Sequence, residues 1–173
     1  MLKPYNVLFV CAGNSARSIL AEGLLRGLGN GRFNAYSAGS QPTGQVHPLA
    51  LAMLDEHGFA TDGMYSKSWN EFLGPDAPVL DFIFTVSDQA AGEIRLRWPM
   101  AEITANWSVP DPAAIGGGEP DRRRAFLDAY ERLARPIRLF AGLSFNLLDR
   151  MALTWRLDSA GRLREEPPVE VQR

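Results

Sequence analysis

Cys11, the one cysteine of the chain, opens the run Cys11-Ala12-Gly13-Asn14-Ser15-Ala16-Arg17-Ser18, directly after the apolar stretch Val7-Leu8-Phe9-Val10. A thiol and a guanidinium therefore flank five small residues at the point where a buried strand should turn into a helix. That spacing lets the backbone curl so that N–H groups from Ala12 to Arg17 point into one hollow, an anion nest at a helix N-terminus. The Arg17 fork matches a planar pair of oxygens on a tetrahedral oxyanion, and the sulfur lies in line with its central atom. Helix dipole, nest amides and arginine all favour a thiolate, and Ser18 can donate its hydroxyl to it. Gly13 is expected to give close approach and free φ. Asn14 is one of the few non-glycine types that tolerate a left-handed conformation. A lone cysteine is otherwise a small buried hydrophobe; the apolar strand before it and the helical spacing Ile19, Leu20, Gly23, Leu24, Leu28 after it favour the chemical reading.

The elements that hold this loop follow from alternating short apolar runs and helical patterns, the mark of a parallel sheet covered on both faces. Strands are expected at Asn6–Val10, Phe33–Ser37, Val79–Val86 and Ile103–Trp107. The first helix should start near Ala16, and a glycine- and proline-containing turn should span Gly39 to Gly44. A second helix should begin near His47, with Pro48 in its first turn, and stop at Gly58. After a flexible Gly116–Pro120 loop, a long helix carries Phe126, Tyr130, Leu133, Ile137 and Phe140, and Pro136 should kink it or end it early.

Length and charge bound the rest. A chain of 173 residues suffices for one sizeable core, placed at 1–157, with a flexible tail at 158–173 that holds Pro167-Pro168 and mixed charge. The formal net charge of −2 gives no basic footprint for nucleic acid or an anionic membrane. The start lacks a signal-peptide core and no apolar run reaches membrane-spanning length, so a cytoplasmic protein is expected. One cysteine, with only His47 and His57 beside it, offers no internal disulfide and no zinc cluster, and no metal or bound cofactor is expected. His47 reads as a helix cap or packing residue, His57 as a helix C-terminal residue, Arg122-Arg123-Arg124 as a solvated helix face, and Trp69, Trp98 and Trp107 as packing.

The segment from Val7 to Gly23 resembles the active-site loop of the low-molecular-weight tyrosine phosphatases and of the arsenate reductases that share their fold. Further motifs resemble the arsenate reductase branch: Tyr36-Ser37-Ala38-Gly39-Ser40, Gly44-Gln45-Val46-His47-Pro48, Ser66-Lys67-Ser68-Trp69, Phe84-Thr85-Val86-Ser87-Asp88, and Trp107-Ser108-Val109-Pro110-Asp111-Pro112-Ala113. The resemblance runs from about Tyr5 to about Leu143. It implies a three-layer α/β sandwich with a four-stranded parallel sheet, Cys11 as nucleophile, and an oxyanion cradle of Ala12, Gly13, Asn14, Ser15, Ala16, Arg17 and Ser18. It matches Asp111 to the family's general acid, whose task is to protonate the oxygen expelled from the central atom; an Asp-Pro pair is in any case a turn former. Asn14, Glu22 and Ser37 resemble positions that bind potassium in some arsenate reductases, and are read here as a hydrogen-bonded network under the loop.

One departure bears on mechanism. Reductases that recycle through thioredoxin carry two further cysteines, and the corresponding places here are Ser87 and a position near Arg95. Reducing arsenate to arsenite takes two electrons, hence two thiols, and this chain supplies one. The resemblance therefore implies an arsenate reductase that borrows an external thiol: glutathione, mycothiol or a glutaredoxin-type partner. Phosphate and sulfate should act as mimics of arsenate. Phosphoester hydrolysis needs only one cysteine, so a tyrosine phosphatase is the alternative, although phosphatases of this fold usually place an aromatic where Ala113 stands. A third reading is a non-catalytic oxyanion-binding module.

Overall fold

The computed structural model describes residues 2–99 and 101–153. Four strands, β1 (Tyr5–Cys11), β2 (Phe33–Gly39), β3 (Phe82–Thr85) and β4 (Ala105–Asn106), form one sheet in the order β2-β1-β3-β4. Every pairing is parallel. The helices are α1 (Arg17–Leu28), α2 (Pro48–Glu56), α3 (Asp88–Arg97) and α4 (Glu119–Ala141), with single 3-10 turns at Trp69–Phe72 and Pro112–Ala114. The chain divides at Gly142 into two compact units. In the second, the described residues form a helical stretch over 145–153, opened by Ser144, whose hydroxyl accepts from the Leu147 amide at 3.2 Å. The expected tail at 158–173 lies outside the described residues. Among the described residues no helix is long and apolar enough to cross a membrane.

A strand buried on both faces turns successive side chains to opposite layers, and β1 is buried throughout. Leu8 and Val10 join Ala38, Ile83, Trp69, Phe72 and the α3 residues Ala90 and Ile94 in one cluster. Toward α4 the rings of Phe82 and Phe84 meet Phe140 edge-on, at 5.1 and 5.0 Å between centroids, and Phe9 stacks on Phe84 at 5.6 Å. The sheet is thus the middle of three layers.

Local outcomes differ from the sequence pattern where neighbours intervene. β3 is shorter than Val79–Val86 because its ladder to β1 begins with the pair Val7–Phe82, and Val79 is exposed. β4 is a two-residue edge strand whose flanks still bond, Thr104 to the Ile83 carbonyl at 2.7 Å and Trp107 to that of Thr85 at 2.8 Å. Pro136 does not end α4, which runs on to Ala141; Leu133, Ile137 and Phe140 are buried on either side of it, and that packing outweighs the missing amide. The sequence pattern gives no sign of α3, which buries only Ala90 and Ile94.

The chain leaves β1 for β2 on one side and then crosses back to β3 on the other. In open α/β sheets such a reversal opens a crevice at the carboxyl ends of the strands. Cys11 is the last residue of β1 and sits there beside Gly39, the last of β2. A Cβ on Gly39 would stand 2.5 Å from the Ala12 carbonyl oxygen and 3.0 Å from the Asn14 amide nitrogen. Gly39→Ala should therefore displace the loop and cost about 1–3 kcal/mol, the usual range for overpacking. Urea unfolding, together with phosphate protection of Cys11 from alkylation, measures both effects.

Candidate active site

The loop after β1 is shaped by where its carbonyls go. Those of Cys11, Ala12, Gly13 and Ser15 accept from the backbone amides of Ser40, Gln41, Thr43 and His47 at 3.2, 2.9, 3.0 and 2.9 Å. With its oxygens tied to this strap, the loop turns its N–H groups the other way. Among the described residues, the amides of Gly13, Ser15 and Ala16 meet no protein acceptor, which leaves them free for an anion at the start of α1. Arg17 is the first residue of that helix, with Ala16 as its N-cap.

Asn14 sits inside the turn in the left-handed region, φ 44°, as its residue type allows. Gly13 does not adopt a positive φ. The expected conformational freedom is not what it supplies; its role is close approach, since a Cβ there would lie 3.3 Å from the Thr43 methyl. The Asn14 side chain is fully buried and satisfied at both ends. Its amide donates to Ser18 Oγ at 2.7 Å and Ser37 Oγ at 3.0 Å, and its oxygen accepts from the Lys67 backbone at 2.8 Å. Ser37 in turn donates to Glu22 Oε2, and Arg26 pairs with Glu22 Oε1. Asn14, Glu22 and Ser37 thus form the hydrogen-bonded network read from the sequence.

The sulfur receives the output of this network. Cys11 is buried and free, its Sγ 2.9 Å from Ser18 Oγ and 3.3 Å from the Asn14 backbone nitrogen, whose N–H points at it. The Asn14 N–H donates to the sulfur, and in the Ser18 contact either partner can donate. Across the mouth, Arg17 donates to the Val109 carbonyl at 3.2 Å and lies 3.7 Å from Asp111 Oδ2. Asp111 forms the turn that its Asp-Pro context offered and also faces the cavity mouth. Its Oδ1 caps the 3-10 turn by accepting from the Ala113 amide at 3.0 Å, and its Oδ2 faces the guanidinium. A cavity of about 350 Å³ opens over the loop, lined by Cys11, Ala12, Gly13, Ser15, Ala16, Arg17, Gln41, Thr43, Gln89, Asp111, Ala113 and Ala114. All of these are small, polar or charged, and no aromatic is among them. Asn14 and Ser18, expected in the cradle, lie beneath it and hold it from below.

The family of low-molecular-weight phosphotyrosine protein phosphatases matches residues 6–141. The chain belongs to that family. Among its relatives, a glutaredoxin arsenate reductase from Synechocystis sp. is 35% identical over 107 residues, covering 61% of this chain and 77% of its own length. Among solved structures, an arsenate reductase in the phosphate-binding state is 30% identical with a TM-score of 0.58, covering 77% of this chain and 96% of that one. The sulphate complex of the tyrosine phosphatase Wzb from Escherichia coli K30 is 21% identical with a TM-score of 0.65, covering 80% and 97%, and shares the fold.

Other expected residues are elsewhere. His47 caps α2, its Nδ1 accepting from the Leu49 amide at 3.1 Å, and its ring packs on Phe126. His57 follows α2 and stacks on Tyr130, and Arg123 pairs with Glu56 on the surface. Trp69 is core and Trp107 stacks on Phe84. Residue types alone assign no role to the 40–47 strap, Gln89 or Lys67; the fixed order of turn motifs around Gly39 and Ser66 is the available signal. Asn14→Ala should orphan the buried Lys67 amide and strain φ, costing at least about 2 kcal/mol. A lowered urea midpoint with weakened phosphate protection of Cys11 is the expected result.

Proposed function

We propose that the protein reduces arsenate to arsenite, with Cys11 as nucleophile and a thiol from another molecule as second reductant. The observation that carries this reading is the open cavity over Cys11, walled by Ala113, Ala114, Gln41, Thr43 and Gln89, which suits a small inorganic oxyanion and builds no slot for a phenol ring. The family's arsenate reductase relatives support it.

The oxyanion sits on the free amides of the loop, with Arg17 swinging from Asp111 to two of its oxygens. The Cys11 thiolate attacks arsenic, and the departing oxygen takes a proton from Asp111 and leaves as water. A thiolate from outside then bonds to the Cys11 sulfur while arsenic departs with the electron pair of the S–As bond. Arsenic gains two electrons and two thiols become one disulfide. A further external thiol releases Cys11 by exchange. Glutathione, mycothiol or a glutaredoxin-type protein can serve in these steps, and a reducing cytoplasm would supply them. Ser87 cannot take part: it is buried and its hydroxyl caps α3 by accepting from the Ala90 amide at 3.2 Å. Arg95 lies exposed on α3.

The single cysteine favours the second reading, phosphoester hydrolysis through phosphocysteine, which needs no other thiol. The two separate in one preparation. Arsenate alone should release no arsenite, and addition of glutathione or mycothiol with a glutaredoxin should start release, with thioredoxin alone a poor substitute. Brisk aryl phosphate hydrolysis with no arsenite under any thiol system would overturn the reductase reading. Asp111→Asn should leave phosphate protection of Cys11 nearly intact and slow turnover about 10²- to 10⁴-fold; unchanged turnover would return Asp111 to its turn.

A further inference from the structure

The wall that carries Asp111 has a second side. The 3-10 turn Pro112–Ala114 is a ridge: Ala113 and Ala114 line the Cys11 cavity, while Pro110, Pro112 and Ile115 line a neighbouring groove of about 540 Å³ whose other bank is α4. Asp111 lines both. Ala113 and Ala114 are exposed and end in methyl groups, so the ridge is low and a molecule in the groove can reach over it toward the sulfur.

The groove is apolar on one bank and charged on the other. From α4, Asp121, Arg124 and Asp128 line it, three and four residues apart and hence on one helix face. Two of its carboxylates already have cations. Asp111 faces Arg17 at 3.7 Å, and Asp128 Oδ2 takes Arg132 Nε at 2.8 Å. Asp121 and Arg124, by contrast, have no side-chain hydrogen bond or ion pair among the described residues. The Asp121 side chain lies back against Gly117, where a Cβ would stand 2.8 Å from its Oδ2. One anion and one cation thus border the groove a helical turn apart without closing on each other.

We propose that this groove seats the second reductant, that the reductant is glutathione, and that Arg124 and Asp121 bind its γ-glutamyl head. That head carries a carboxylate and an ammonium on one carbon. The Arg124 fork suits the first and the Asp121 carboxylate the second. A tripeptide extends about 10 Å, so head and thiol can lie on the two sides of one turn. Mycothiol, an uncharged inositol glycoside, would leave both charges without a partner. The proposal rests on arsenate reduction through Cys11 and names its electron donor. The glutathione thiol gives its proton to solvent and its sulfur bonds to Cys11 Sγ. The S–As bond breaks with its electron pair going to arsenic, which leaves as arsenite.

The test is arsenite release by the full chain at saturating arsenate, with glutathione, cysteinylglycine or mycothiol as the thiol, ranked by kcat/KM for the thiol. Cysteinylglycine keeps the thiol and lacks the γ-glutamyl head. Glutathione should exceed both by at least about tenfold. In Arg124→Met and in Asp121→Asn that advantage should fall about fivefold, the size of one exposed charge contact, through the KM for glutathione rather than kcat. Arg124→Lys, which keeps the charge, should retain most of it. Calorimetry with S-methylglutathione, which cannot react, reads the same contacts apart from turnover and should show about fivefold weaker binding to Arg124→Met and Asp121→Asn than to the wild-type protein. Both side chains are exposed, and urea unfolding checks that the variants fold. Equal use of glutathione and cysteinylglycine by the wild-type protein would overturn the proposal. So would an advantage that both variants keep, or mycothiol outrunning glutathione. No arsenite with any thiol, beside brisk aryl phosphate hydrolysis, would instead sink the reductase reading on which the proposal stands.

Discussion

The outward pull on the carbonyls of the Cys11 loop is the constraint on which the site depends. A peptide group cannot aim its oxygen and its N–H the same way, so tying four carbonyls to the 40–47 strap commits the amides to the cavity. That arrangement is electrostatically unfavourable without a partner: unpaired donors gather around a sulfur at a helix start. It persists because β1 is locked in the centre of the sheet and β2 ends on a glycine that lets the loop lie against it. A preorganised set of donors costs no rearrangement when an anion arrives, which is the general source of strong oxyanion stabilisation.

Two side chains close the loop from opposite sides. From below, Asn14 joins it to α1 through Ser18, to β2 through Ser37 and to the 65–68 segment through the Lys67 backbone. From above, Arg17 spans to Val109 and Asp111 on the segment following β4. The pairing of Arg17 with Asp111 places a guanidinium and a carboxylate at one cavity mouth, where the proposed reaction would use the first to hold the oxyanion and the second as its acid. The phosphatases and the reductases of this family need the same attack on a tetrahedral centre. They part at the second step, where water attacks phosphorus in one and another thiol attacks sulfur in the other. The absence of aromatic side chains from the cavity lining among the described residues and the solitary cysteine bear on that choice, the first through substrate size and the second through electron count.

The Cys11 loop is legible in the sequence because strand, small residues and helix follow one another without interruption, so local physics suffices. The positions of the strands are legible for the same reason, as β-branched and aromatic runs such as Phe82–Thr85 have few alternatives. Asp111 needs the family's motif order, since an Asp-Pro pair announces only a turn. The features hidden from the sequence depend on distant partners. The strap works through backbone bonds that leave no side-chain pattern, α3 has too few apolar positions to declare itself, and Pro136 is carried through α4 by burial on either side. Lys67 pairs with Glu22 across 45 residues, and only the fold brings the two charges together.

The central claim is that arsenate converts the Cys11 thiolate into a disulfide with a thiol from outside. Intact mass analysis of protein quenched during turnover with arsenate and glutathione tests it most directly. The expected result is a mass gain of one glutathione per chain, mapped to Cys11, abolished in Cys11→Ser and absent when phosphate replaces arsenate. No glutathione on Cys11 under arsenate, with a phosphorylated Cys11 trapped from an aryl phosphate, would contradict it.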